Sequence, residues 1–144
     1  MSIFGAMDVS ATGMTAQQLR MDTISENIAN VNTTRDSEGN VYRRKTVLFE
    51  EKSYPTFSEA LSMANGHIGK GVKASRIVED TSEGNKVYDP SHPDADEDGY
   101  VIYPNVNTVT EMTNMIDATR AFEANVTVLN STKGMALKAL DIGQ

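Results

Sequence analysis

The acidic loop at residues 94–99 is the part of this sequence whose spacing comes closest to a metal site. Three aspartates alternate along it and a glycine occupies its sixth position, as in the first half of an EF-hand calcium loop. The twelfth position holds Asn105, whereas calcium coordination there needs a bidentate Glu. We therefore expect a solvated acidic turn that holds no metal, and we keep a calcium-dependent binding module as the alternative function.

Residues with catalytic potential are scarce elsewhere in the sequence. The two histidines, His67 and His92, lie in different loops, and there is no cysteine. A zinc site needs three or four ligands at matched spacing, and a catalytic histidine needs a nucleophile and an orienting carboxylate. No nucleophile elbow, phosphate-binding loop or zinc-protease motif occurs. We predict that the chain is not an enzyme and has no catalytic, cofactor-binding or metal-binding residues.

Composition and charge restrict the possible partners. The chain has 144 residues and a formal net charge of -7, and its only basic cluster is residues 43–45, so nucleic-acid binding is not expected. No segment is apolar enough to insert into a membrane, and no cleaved signal peptide is predicted at the N-terminus. Hydrophobic residues make up 39% of the chain, which predicts a small core.

The elements that position these residues fall into three segments. Residues 1–32 form a predicted N-terminal helix, residues 33–104 a β-rich insert with loops, and residues 105–144 a C-terminal helix. The expected fold class is α+β, with the two long helices packing as a coiled-coil-like pair around the insert. Strands are predicted at residues 41–50, 72–78 and 101–103, and a short helical turn at 58–64.

Both predicted helices carry an apolar stripe of seven-residue period. In the first helix the stripe consists of methionines, but Ser10 and two glutamines interrupt its face and lower its stability. In the second, Thr108 and Glu111 have the spacing of a capping box, which would start the helix near Val109. That helix continues to about Asp141 and would be about 50 Å long. Part of its stripe must therefore meet another helix or another chain.

The end of the first helix is rich in asparagine, with Asn27, Asn30 and Asn32 within six residues. Asparagine tolerates the left-handed conformation and bonds to nearby backbone. The simpler interpretation is a helix C-cap followed by a loop. The alternative is that these side chains fix register against other subunits.

Longer stretches of the sequence resemble a known family. Residues 13–34 are similar to the N-terminal signature that flagellar axial proteins share. Residues 42–49 and 87–101 resemble the short proximal-rod members of that family, and so do residues 103–107, 111–112, 120–125 and 130–140. One small departure is Phe122, where the family usually has Tyr.

The resemblance implies a structural subunit of the bacterial flagellar basal-body rod. Such subunits are exported without cleavage by the flagellar type III apparatus and assemble in the periplasm into the rod that crosses it. Their terminal helices form the axial tube, which transmits torque and lines the export channel. The implied partners are other copies of the chain, neighbouring proximal-rod subunits, the base adaptor and the export apparatus. The predicted subunit-interface residues, from the helix stripes and the helix exit, are Met7, Met14, Met21, Ile24, Asn27, Ile28, Asn30, Asn32, Met112, Met115, Phe122, Asn125, Val126, Leu129 and Leu140.

Overall fold

A computed structural model describes residues 3–35, 39–52, 61 and 71–142 of the chain. The predicted helical turn at 58–64, apart from Leu61, and His67 lie outside the described residues. The described elements, in chain order, are α1 (Ile3–Ala29), β1 (Lys45–Glu51), β2 (Val72–Glu79), β3 (Asn85–Tyr88), β4 (Tyr100–Tyr103) and α2 (Thr108–Ile142). Two long helices thus enclose a small antiparallel β insert, which confirms the predicted α+β class.

The two helices pack against each other along the chain's long axis. Asn27 near the end of α1 contacts Glu111 near the start of α2, and Gly13 lies beside Asn125. The helices are therefore antiparallel. The innermost positions of this seam carry mostly small or polar side chains: Ser10, Ala16, Thr23, Ile24 and Asn27 on α1, and Glu111, Ala118 and Thr132 on α2.

Hydroxyl groups are buried in this seam because each bonds to its own helix. Ser10 Oγ donates to the carbonyl of Ala6 at 3.1 Å, and Thr132 Oγ1 donates to that of Val128 at 2.8 Å. Such bonds to the preceding turn satisfy a hydroxyl without a partner on the other helix. Ser10, expected to interrupt the seam, is one of its buried members. The methionine stripe lies on the flank of the seam, where its side chains are half-buried.

The N-terminus of α2 is capped by Asn107, and the predicted capping box is wrong. Asn107 Oδ1 accepts hydrogen bonds from the backbone N–H groups of Val109 at 3.0 Å and Thr110 at 3.1 Å. These are the second and third residues of the helix, as a capping side chain requires. Glu111 turns inward instead, because it has partners in Asn27 on α1 and in Arg44, immediately before β1.

The exit of α1 uses local hydrogen bonds. The helix ends at Ala29, and Asn30 Nδ2 donates to the carbonyl of Glu26 at 2.9 Å while its Oδ1 accepts from the Thr33 hydroxyl at 3.1 Å. The expected bonding of asparagine to nearby backbone is thus found at Asn30. None of the asparagines at this helix exit adopts the left-handed conformation, since no described residue other than glycine has a positive φ.

The insert consists of two separate two-stranded sheets. β1 and β2 pair antiparallel with a bulge between Leu48 and Phe49, and both strands contact α1. β3 and β4 form the second antiparallel pair, so that Val87 lies opposite the buried Val101. β1, β2 and β4 lie within the three predicted stretches or extend them by one residue, whereas β3 was not predicted.

Candidate functional site

Asn27 stands at the point where the two helices meet the insert. Its side chain is fully buried, at 0% exposure. Nδ2 donates to the Lys45 carbonyl at 2.8 Å and to Glu111 Oε2 at 3.0 Å, while Oδ1 accepts from the Lys45 N–H at 2.8 Å and from the Tyr42 hydroxyl at 2.9 Å. All four hydrogen-bonding positions of the amide are therefore used, and they join α1 to β1 and to α2.

Glu111 places a carboxylate at the same point. It is also fully buried, and Arg44 neutralises it through Nη2 at 2.8 Å and Nε at 2.9 Å, both to Oε1. Asn114 donates to the same oxygen at 3.3 Å. A buried carboxylate is tolerated only when it is paired and hydrogen-bonded in this way. We call Asn27, Tyr42, Arg44, Asn105 and Glu111 the junction.

Tyr42 closes the junction on the side of Glu26. Burial, followed by the nearby carboxylates of Glu26, Glu79 and Glu111, raises the pKa of Tyr42 to about 12. Lys45 lies over the Tyr42 ring, 5.4 Å from its centre, and forms an ion pair with Glu26 at 2.6 Å. The phenol therefore stays protonated and donates to Asn27.

Asn105 extends the junction to the turn after β2. Its Oδ1 accepts from the backbone N–H of Arg44 at 2.9 Å, and its Nδ2 donates to the Ser82 hydroxyl at 2.8 Å. The Asp80 N–H donates to the Arg44 carbonyl at 2.7 Å. Both backbone groups of Arg44 are thus held, which fixes the direction in which its guanidinium reaches Glu111.

The acidic loop uses its carboxylates within the chain. Asp94 accepts from the Thr34 hydroxyl at 2.7 Å and pairs with Arg35 at 3.1 Å. Asp96 Oδ1 accepts from the backbone N–H groups of Asp98 at 3.1 Å and Tyr100 at 2.7 Å. Among the described residues no group of three or more His, Asp or Glu side chains could hold a metal ion. Nothing in the loop favours the calcium alternative.

A cleft of about 760 Å³ lies between the two sheets. Arg43, Lys45 and Lys86 line it together with Glu79 and Glu83, so charges of both signs are mixed along its wall. Glu111 lies outside this lining and is fully buried. The Glu111 carboxylate therefore joins structural elements and is not open to the cleft. In the described part of the chain, no helix is long and apolar enough to cross a membrane.

The predicted interface residues occupy three kinds of position. Ile24 and Asn27 are buried within the chain, and Asn32, Met112 and Leu140 are exposed. Met112 and Leu140 therefore do not take part in the seam between α1 and α2. The remaining members are half-buried along the helix pair: Met7, Met14, Met21, Ile28, Asn30, Met115, Phe122, Asn125, Val126 and Leu129. Their contact with other subunits stays a prediction.

Several junction residues were missed at the sequence level. Arg44 and Glu111 are 67 positions apart, and no local pattern links them. One signal was present, because the buried residues Glu111, Ala118 and Thr132 fall on a seven-residue series together with Asn125. The neighbouring series that begins at Met115 is more apolar, and for that reason the sequence predicted it as the packing face of the helix.

Comparison with known proteins defines the class of protein first. A family model described as flagella basal body rod protein matches residues 7–35, and one described as flagellar basal body rod FlgEFG protein C-terminal matches residues 97–142. These matches cover most of α1 and the segment from the acidic loop through α2. They define the chain as a rod-type protein of the flagellar basal body.

Individual relatives narrow this class to one family. The flagellar basal-body rod protein FlgC of Bacillus subtilis is 46% identical over 150 residues, covering all of both chains. That of Borreliella burgdorferi is 46% identical over 154 residues, covering all of this chain and 99% of the relative. That of Salmonella typhimurium is 35% identical over the full length of both. The chain belongs to the flagellar basal-body rod protein FlgC family, which confirms the resemblance found in the sequence.

Proposed function

We propose that this chain is a structural subunit of the proximal rod of the bacterial flagellar basal body, where it polymerises through its terminal helices. Family membership supports this function, and one structural observation indicates which residues contact other subunits. The N-terminal part of α2 exposes several large apolar side chains. Val109, Met112 and Ile116 are 74%, 56% and 52% exposed, and their spacing places them on one stripe.

A second exposed apolar stripe lies toward the C-terminal end of α2. Val128, Met135 and Ile142 recur every seven residues and are all more than half exposed. Soluble monomers rarely expose extended apolar stripes, so such a surface marks a contact with another protein. In the proposed rod, these stripes pack against other copies and against neighbouring rod subunits, including the base adaptor.

The same proposal covers transport and location. The chain is exported by the flagellar type III apparatus without a cleaved signal peptide, and it assembles in the periplasmic section of the basal body. A long helix pair around a small insert suits an axial tube that transmits torque and lines the export channel. In this assembly the structural role needs no catalytic residue, and the chain acts as a mechanical component.

A complementation experiment tests the proposal. A motile bacterium from which the gene for this chain has been deleted would receive the wild-type chain, Met112→Glu, Ile116→Glu or Thr113→Glu. Thr113 is exposed, and Thr113→Glu adds the same charge beside the stripe, so this variant serves as the control. We expect the wild type and Thr113→Glu to restore swimming, and the two apolar substitutions to abolish it.

Two further measurements separate assembly from folding and export. The purified variants should unfold in urea at the same concentration as the wild type, and the exported fraction of each chain should be unchanged. Isolated basal bodies should contain the wild-type chain and lack the Met112 and Ile116 variants. Basal bodies that form a complete rod without the chain would reject the proposal.

A further inference from the structure

We propose that the junction is a register lock, which makes the end of α1, the start of α2 and the start of β1 open and close as one unit. The inference begins with the seam between the helices. Its buried residues are mostly small, and its hydroxyl groups bond within their own helix. Such a surface has few features that distinguish one axial register from another.

Asn27 supplies the missing specificity. Moving α1 by one turn, about 5.4 Å, would remove all four of its hydrogen bonds and leave Glu111 buried with one partner fewer. Buried polar groups cost free energy when they lose their partners. A single buried Asn fixes register in coiled coils for this reason. Here the same amide also holds the backbone of Lys45, so the register of the helices and the position of β1 are fixed together.

The opposite end of the helix pair has no comparable connection among its described residues. Phe4, Leu140 and Ile142 are 81%, 71% and 86% exposed. A side chain added at Gly5 or Gly134 would meet nothing within 4 Å. Few buried contacts mean a low free energy of local opening. The helix pair is therefore locked at the junction and free to open at its other end.

The lock is a property of the single chain, and its use in assembly rests on the proposed function. A subunit entering the rod can change the neighbours of its open end while the junction keeps the insert in place. Failure of the lock would appear in the isolated protein, whereas failure of the proposed function would appear as normal swimming in cells that lack the chain. The two outcomes are therefore distinguishable.

Native-state hydrogen exchange on the full purified chain tests the lock. The variants are Glu111→Gln, which keeps the side-chain size, and Asn27→Ala, with Asn30→Ala as the control. We expect both junction variants to speed exchange in residues 20–29, 44–48 and 109–115 by one common factor, about tenfold or more. Residues 128–142 should exchange as in the wild type. Asn30→Ala should leave residues 44–48 and 109–115 unchanged, because its described bonds are local.

A double-mutant cycle gives a second, independent test. Asn27→Asp places two carboxylates together in a buried site, so it should speed exchange in all three segments more than Glu111→Gln does. Combining the two changes restores an amide–carboxylate pair and should reverse part of this effect. If Asn27→Asp is unfolded alone, recovery of folding in the double variant is the expected result. Additive effects, or faster exchange confined to the helix that carries the substitution, would overturn the lock.

Discussion

Gly13 on α1 lies so close to Asn125 on α2 that a methyl group added to the glycine would stand 2.8 Å from the Asn125 Oδ1 atom. The Asn125 side chain is held there by donating to the carbonyl of Ala121 at 2.8 Å. The two backbones can approach at this point because one of them carries no side chain. The middle of the helix pair thus depends on a residue that weakens an isolated helix.

This contact predicts opposite effects for two glycine substitutions in helices. Gly134→Ala should stabilise the protein by about 0.5–1 kcal/mol, because alanine favours helix and the new methyl meets nothing within 4 Å. Gly13→Ala should stabilise the protein less than this or destabilise it, because the Asn125 side chain must move. Urea denaturation followed by circular dichroism measures both. An equal gain from the two substitutions would show that the close approach has no energetic consequence.

The raised pKa of Tyr42 predicts a loss of stability at high pH. An unperturbed tyrosine has a pKa of 10.0, whereas Tyr42 in the folded chain has a pKa of about 12. Between these values the native state keeps a proton that the unfolded chain has released. Unfolding is therefore increasingly favoured as the pH rises from 10 to about 12.

Tyr42→Phe isolates this contribution. The variant loses the hydrogen bond to Asn27 and should be less stable at neutral pH by about 1 kcal/mol. Its stability should then fall less steeply than that of the wild type between pH 10 and 11.5, because the perturbed phenol is absent. Urea midpoints at several pH values give both slopes, and the ionisation of lysines affects the two proteins alike. Parallel slopes would contradict the assignment.

The extents of the helices could be predicted from the sequence, while the junction could not. The sequence placed the first helix at residues 1–32 and the second from near Val109 to about Asp141, and the described helices span Ile3–Ala29 and Thr108–Ile142. Periodicity is a local property that survives in any packing arrangement. It gives the orientation of each helix only when the innermost residues are also the most apolar, and here Ser10 and Thr132 are buried instead.

β3 and Glu111 show two further limits of local patterns. Asn85 and Lys86 begin β3 without any strand preference, and the strand exists because it pairs with β4. Thr108 and Glu111 fit a capping box by spacing, but Asn107 is the N-cap, and the Glu111 carboxylate pairs with Arg44 instead. A local motif was thus replaced by a partner 67 positions away. Only the three-dimensional fold determines which of two chemically suitable interactions forms.

Gln17 provides a further prediction, from an unsatisfied polar atom. Its Oε1 is buried and accepts no hydrogen bond in the described part of the chain. Burying such an acceptor costs about 1–3 kcal/mol. Gln17→Met has similar volume and no polar atom, so it should raise the free energy of unfolding by about 1 kcal/mol. Gln18→Met, at an exposed neighbouring position, should change it little, and equal effects of the two would exclude this explanation.

Gly71, just before β2, lies against Thr12 on α1, and this contact predicts that substituting Gly71 destabilises the protein. Gly71 has a φ of +95°, and an added Cβ would overlap Thr12 Oγ1. That hydroxyl donates to the carbonyl of Val9 at 2.7 Å and accepts from the Val72 N–H at 3.2 Å. Gly71→Ala therefore combines backbone strain with a steric clash, and we expect a loss of about 2–3 kcal/mol.

Gly39 is the matched control for this prediction. Its φ is +85°, but an added Cβ would meet nothing within 4 Å, so Gly39→Ala should cost only the backbone strain, about 1 kcal/mol. Thr12→Ala combined with Gly71→Ala should recover the steric part of the loss, and combined with Gly39→Ala it should recover nothing. Urea denaturation of the four variants and the wild type measures the coupling. If Thr12→Ala adds the same loss in both backgrounds, α1 and β2 are not in the close contact that Gly71 permits.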